Sequence, residues 1–250
     1  MLQRLREKIN SIRLNQAAKK RNKALANELD REQVAHLVPT VKCAAEWYGN
    51  EYGGFFVNPD LMTADSIVYS FGIGKDISFD RTCMKKHGCK VFAFDPTPKS
   101  IAYIELQQPP ALFSFYDYGI TDQRSGVVDF YLPANPRGVS GSLVESDCVD
   151  PNNSIQVKMR SFDDITEELG HKHIDVLKMD IEGSEYAVLE KILASNVTID
   201  QILVEFHDRL FDQENYRSVQ TVEAMKAKGY QVFAASATFE EISFIRNGIL

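Results

Sequence analysis

From Ser66 onward, short runs of β-branched and aromatic residues alternate with stretches of helical periodicity, a pattern that restricts the chain to a largely parallel sheet covered on both faces. Strands are expected at SIVYSF (66–71), KVFAF (90–94), LFSFYDYGI (112–120), IDVLKMD (174–180) and QILVEFH (201–207), and helices at about 77–87, 98–107, 184–194 and 215–228. The final runs, YQVFAAS and EEISFIR, have no helix between them, so they close the sheet as an antiparallel pair. Between the third and fourth of the first five strands lies a polar, proline-containing insertion, 127–160, expected to form a hairpin and a flap over the sheet edge. The class is therefore α/β, with a mostly parallel seven-stranded sheet whose last strand is antiparallel.

At 250 residues, 44% apolar and 25% charged, the chain can bury one large core. The net charge of −7 is unevenly spread: residues 1–24 carry eight basic side chains against Glu7, which leaves about −14 on the remainder. An acidic body argues against nucleic acid as a partner, because phosphate binding needs a basic face on the folded domain. Residues 2 to about 37 read as one helix, with no Gly or Pro before Pro39. Its basic half suits a solvated accessory helix, with weak contact with an anionic membrane surface or an acidic partner as the alternatives. The expected division is an extension, 1–46, and a catalytic domain, 47–250, entered through an aromatic, glycine-rich loop or lid at 47–60. Cys43, Cys83, Cys89 and Cys148 form no CxxC pair and read as reduced thiols. No uncharged run approaches the roughly 20 apolar residues that span a bilayer, and the N-terminus lacks a signal-peptide core, so a cytoplasmic location is expected.

In an open α/β sheet, ligands bind outside the carboxyl ends of the strands. The first of these strands ends in Gly72 and Gly74, and the second, 21 residues past Gly74, ends in Asp95, suited to accept hydrogen bonds from ribose hydroxyls. A diphosphate fingerprint would place a third glycine where Ile77 stands, and Asp76 would repel a pyrophosphate. A cofactor with a cationic centre and an amino group fits better. S-adenosylmethionine has both, its ammonium directed to Asp76 and its carboxylate to backbone N–H groups. Tyr118, Gly119 and Ile120, at the third strand end, are placed for the adenine. The competing reading is a nicotinamide-dependent oxidoreductase with the same turn.

The densest polar cluster is LKMDIEGSEY, 177–186. Capping of the next helix explains Ser184 and Glu185 but leaves Asp180 and Glu182 unexplained. In LVEFHDR, the alternation of a strand puts Glu205 and His207 on one side. Asp180, Glu205 and His207 thus converge on one rim, with His207 as a general base oriented by either carboxylate. The same trio could instead ligate a divalent metal, which is possible but not expected. The histidines of HKH, 171–173, are read as solvated.

The segments DSIVYSFGIGKDISFD, CKVFAFDPTPKSI, VSGSL, HIDVLKMDIEGSEYAVLEKIL and ILVEFHDR resemble the FkbM-type S-adenosylmethionine-dependent methyltransferases, in the bacterial branch with the SFGIG signature. The resemblance covers roughly residues 47–246. It implies a class I methyltransferase Rossmann-like fold and O-methylation of sugars, glycans or other small-molecule hydroxyls. Gly72, Gly74 and Asp95 would then be cofactor residues, and Asp180, Glu182 and His207 would line the reaction site. The family carries an acid in the first strand where this chain has Ser70, which places Ser70 at the cofactor and shifts the acidic role to Asp76. The branch often has a histidine in the flap where Gly141 stands, flanked by Ser140 and Ser142, which are expected near the substrate.

Overall fold

The computed structural model describes residues 2–133, 149–211 and 216–250; Ser140, Gly141, Ser142 and Cys148 lie outside the described residues. The chain opens with α1 (Leu2–Glu28), followed by a short hairpin, β1 (Glu46–Tyr48) and β2 (Phe55–Val57). The body then runs β3 (Ile67–Phe71), α2 (Ser78–His87), β4 (Lys90–Phe94), α3 (Pro98–Gln107), β5 (Phe113–Tyr116), β6 (Gly119–Thr121), β7 (Gly126–Pro133), β8 (Val149–Ser161), α4 (Phe162–Leu169), β9 (His173–Met179), α5 (Glu185–Ala194), β10 (Thr198–Glu205), α6 (Arg217–Ala227), β11 (Tyr230–Ala235) and β12 (Glu241–Arg246).

Seven strands form the main sheet in the order β11-β12-β10-β9-β3-β4-β5. The pairs among β10, β9, β3, β4 and β5 are parallel, while β12 runs antiparallel to both β10 and β11. This is the class I methyltransferase fold. The chain moves outward from β3 to β5 and returns to β9 on the other side of β3, so the order reverses between β3 and β9 and opens a crevice at their carboxyl ends. Alternation along the strands sorts the core into two layers. Tyr69, Phe71, Leu177, Met179 and Val204 pack on one face, Val68, Val91, Val176 and Leu203 on the other. The same parity sends Ser70 and Lys178 to the second face, beneath α2.

The run 112–120 does not form one strand. It breaks at Asp117, which is exposed and paired with Lys158 at 3.1 Å; β5 stays with β4, whereas β6 leaves to pair parallel with β8 in a small sheet of order β6-β8-β7. The expected hairpin of the insertion is the antiparallel pair β7·β8. Helix α4 was not anticipated, although Ser161 caps it by accepting from the Asp164 N–H at 3.2 Å while Phe162 and Ile165 enter the core.

The N-terminal helix ends at Glu28, earlier than expected. Asp30 accepts from the Glu32 N–H at 2.9 Å to form a turn, and burial of Val34 and Leu37 draws the following segment onto the body. Helix α1 itself is held by polar contacts: Arg21 to Glu240 at 2.7 and 2.8 Å, and Asn15 and Asn22 to the backbone of Glu51 at 2.8 and 3.2 Å. The histidines at 171 and 173 are partnered. His171 Nδ1 meets the Tyr69 hydroxyl at 2.8 Å, and His173 Nε2 lies 2.9 Å from Asp200. Among the described residues Cys43, Cys83 and Cys89 are free thiols, and no helix is long and apolar enough to cross a membrane.

Candidate active site

A cleft of about 880 Å³, counting its open mouth, lies over the carboxyl ends of β3 and β9. Its floor depends on a backbone contact. Gly72 has φ +73°, and a Cβ there would fall 1.6 Å from the Asp180 carbonyl oxygen, so only glycine lets the turns after β3 and β9 touch. Gly74 also has a positive φ, +51°, but a Cβ there would meet nothing within 4 Å.

Gly72, Gly74, Asp76, Asp95, Gly119, Ile120, Asp180 and Glu182 all line this cleft. Asp95 is less open than expected. Its Oδ2 accepts from the Gly74 N–H at 2.9 Å, and its Oδ1 accepts from the Thr97 N–H at 2.9 Å and hydroxyl at 2.7 Å. Of the roughly four acceptor positions of a carboxylate, three are occupied, which leaves room for one ligand hydroxyl at Oδ2 rather than for two. Burial raises its pKa, and the Thr97 and Gly74 donors oppose the rise. Asp76 is engaged too. It accepts from the Ser78 N–H at 2.5 Å at the start of α2 and from the Asn50 side-chain amide. Asn50 in turn accepts from the N–H groups of Tyr52 and Gly53, at 2.7 and 3.1 Å. Asp76 thus fastens the β1–β2 loop, and that loop brings Tyr52 into the cleft wall.

Two expected residues lie off the wall. Ser70 is enclosed beneath α2 and is not among the residues that line the cleft. Tyr118 turns its ring into the core, 5.6 Å from Phe94 and 5.5 Å from Tyr116, with the Arg160 guanidinium 5.3 Å above it. Only its neighbours Gly119 and Ile120 reach the cleft.

A buried polar group that the sequence does not announce lies under α2. Asp80 lines the cleft, is 2% exposed, and its Oδ1 has no hydrogen-bond partner; the enclosed Ser70 hydroxyl has none either. Burial pushes the Asp80 carboxyl up to about 6, against the opposing influence of Lys178 and Ser70. Lys178, a buried charge in β9, donates to the Gly72 carbonyl at 2.5 Å and so supports the turn from below. That lysine, out of place in a buried strand, was a readable signal; Asp80, in an ordinary first helical turn, gave none.

At the other end of the cleft, Asp180 and Glu182 stand on the wall, and His207 is fully buried behind them. His207 Nδ1 lies 2.7 Å from Glu185 Oε1. Its Nε2 lies 3.3 Å from Glu182, 3.5 Å from Glu205 and 3.8 Å from Asp180, and none of these three contacts has hydrogen-bond geometry. His207 and Glu205 therefore do not face the ligand space directly. Burial alone would lower the His207 pKa, but the charges of Glu185 and Glu205 hold it well above 6.5. Burial, reinforced by Asp180, raises Glu205 well above the usual carboxylate range. Glu185 is also fully enclosed; burial works to raise it, but His207 and the Gly183 N–H prevail and lower it. It accepts from the N–H groups of Ile181, at 3.2 Å, and Gly183, at 2.9 Å, and so closes the turn that carries Glu182. Glu182 itself has φ +53°, a left-handed conformation costing about 1–3 kcal/mol in a residue other than glycine, of the kind that collects at functional sites.

A family model described as "Methyltransferase FkbM domain" matches residues 65–232. Among curated proteins, "Probable methyltransferase-like protein 24" of Homo sapiens is 29% identical over 147 residues, covering 56% of this chain and 32% of that protein. "2-O-methyltransferase NoeI" of Sinorhizobium fredii is 28% identical over 143 residues, covering 52% of this chain and 58% of that one. The chain matches only about a third to three-fifths of the length of these relatives. Among solved structures, the fibrillarin pre-rRNA processing protein of Methanococcus jannaschii superposes with a TM-score of 0.43 at 12% identity, covering 74% of this chain and 68% of that one. The family match gives no support to the nicotinamide-dependent alternative.

Proposed function

Because this chain belongs to the FkbM methyltransferase family, we propose that it transfers a methyl group from S-adenosylmethionine to a hydroxyl oxygen of a sugar, a glycan or another small-molecule acceptor. One observation carries the reading: the glycine turn, two buried carboxylates and an acidic pair line a single cleft at the reversal of the strand order. The residues present fit the cofactor. Asp80, buried, lining the cleft and with its Oδ1 lacking a hydrogen-bond partner, suits a ligand ammonium, the role expected of Asp76. Asp95 Oδ2 suits a ribose hydroxyl, and Gly119 with Ile120 offers an apolar surface to the adenine.

When bound, S-adenosylmethionine supplies an electrophilic methyl carbon on a cationic sulfur. The chain's part is alignment and removal of a proton, of which alignment contributes most. Asp180 and Glu182 are the members of the acidic cluster that reach the cleft, so the acceptor's proton leaves through them. His207 and Glu205 act behind them as positioning residues, and Glu185 fixes the imidazole. Tyr52 on its loop helps exclude water from the mouth. The relative whose name specifies 2-O-methylation favours oxygen as the acceptor atom.

The test is incubation with methyl-labelled S-adenosylmethionine and a panel of mono- and oligosaccharides and hydroxylated small molecules. Label recovered in an alkali-stable ether is expected. Label recovered only on nitrogen or as an alkali-labile ester would refute the choice of acceptor.

A further inference from the structure

We propose that Asp180, Glu182 and Nε2 of His207 form a binding site for a divalent cation, with Glu205 on its buried side. The ligand atoms of Asp180, Glu182 and His207 lie within 4.8 Å of one another. Donors held about 2.0–2.6 Å from a common ion stand about 3–5 Å apart, so the three need only small side-chain adjustment. Acidic side chains cluster often without a cation, and the spacing alone decides nothing.

The deciding observation is the position of His207 Nε2. It is buried, has no hydrogen-bond partner, and lies 3.3 Å from Glu182, 3.5 Å from Glu205 and 3.8 Å from Asp180. No carboxylate oxygen stands where a hydrogen on Nε2 would be accepted well. A divalent cation that displaces that hydrogen is met by the imidazole nitrogen and the oxygens of Asp180 and Glu182 together. The Glu185–His207 contact is then the outer carboxylate that orients a metal-bound imidazole.

Lys178 lies 3.9 Å from Asp180, and Arg209, 3.7 Å from Glu205, is shared with Glu240 at 2.9 Å. The other groupings are better satisfied: Asp200, beside His173 and Asp175, already binds Arg246 at 2.8 Å, and Glu240, beside Glu205 and Glu241, binds Arg21 at 2.7 Å. Two carboxylates with one imidazole and no thiolate suit a borderline divalent cation such as Mn²⁺. The site opens on the cleft through Asp180 and Glu182, so a cation there would meet the acceptor's hydroxyl; this last role, unlike the binding, rests on the methyltransferase reading.

The test uses the full chain, stripped with EDTA and titrated with MnCl₂ without cofactor or acceptor, followed by electron paramagnetic resonance. One saturable site with ¹⁴N modulation from an imidazole is expected. Glu182→Gln should weaken it at least about tenfold, whereas His173→Gln should leave both affinity and modulation intact. Asp180→Asn serves if the first variant does not fold. Absence of saturable binding, binding indifferent to Glu182→Gln and Asp180→Asn, or loss of the signal in His173→Gln would overturn the proposal. Titration of the same stripped protein with S-adenosylhomocysteine separates the two readings: cofactor binding without Mn²⁺ binding removes only the cation, and the reverse removes only the methyltransferase.

Discussion

Replacement of Asp80 by asparagine should stabilise the protein and impair it. The Asp80 carboxyl is raised from 3.8 to about 6 by burial, which favours its protonated form in the folded state. Between those two values the native state holds more protons than the unfolded chain, so stability falls as pH rises through that window and levels off above it. The shift of about two units corresponds to a cost of about 3 kcal/mol, already net of the favourable influence of Lys178. Asparagine copies the protonated form in shape and escapes the cost. Urea unfolding should show Asp80→Asn within about 0.5 kcal/mol of the parent near pH 4, and up to about 3 kcal/mol more stable at pH 7.5. The same variant should bind S-adenosylhomocysteine about 10–100-fold more weakly, because a charge-assisted hydrogen bond contributes about 1.5–3 kcal/mol. A variant less stable than the parent at pH 7.5, a gain independent of pH, or unchanged affinity would refute the assignment of Asp80 as a carboxylate held for a cationic ligand group.

Gly72→Ala should cost at least about 3 kcal/mol in thermal melting, because its Cβ would collide with backbone at Asp180, whereas Gly74→Ala should cost only about 1–2 kcal/mol of left-handed strain. Equal effects would show that the β3–β9 contact does not set the floor. Glu185→Gln should lose about 1.5–3 kcal/mol in urea unfolding, since it weakens a fully buried charge-assisted bond to His207. Removing residues 1–28 should cost no more than about 1 kcal/mol, because the Arg21–Glu240 bridge is partly exposed, whereas removal through residue 37 also takes Val34 and Leu37 from the core, at about 1.5–3 kcal/mol each. Similar melting of the two truncations would contradict that division.

Much of the sheet was legible because its order follows local composition. The β-branched and aromatic runs at β3, β4, β9 and β10 are buried on both faces, and such runs keep their identity whatever packs against them. The break of 112–120 into β5 and β6 was not legible, because it depends on the partner strand β8, some 40 residues later. Helix α4 was legible locally, since Ser161 and Asp164 have capping spacing. At the site, Gly72, Gly74, Asp95, Asp180 and Glu182 follow from position at strand ends, which a topological rule fixes. Glu185 reads locally as an ordinary first-turn acid, and its burial against His207 is a contact over 22 residues that no periodicity reveals. Ser70 and Tyr118 lie off the cleft wall. Parity places Ser70 under α2, and the departure of β6 from the main sheet turns Tyr118 into the core.

The central claim is that the cleft holds S-adenosylmethionine and not a dinucleotide. Calorimetric titration of the full chain with S-adenosylhomocysteine and, separately, with NADH, using Asp95→Ala as the control, tests it directly. Saturable binding of S-adenosylhomocysteine alone, lost in Asp95→Ala, is the predicted result. Binding of NADH with no response to S-adenosylhomocysteine would contradict the account and return the glycine turn to a nicotinamide cofactor.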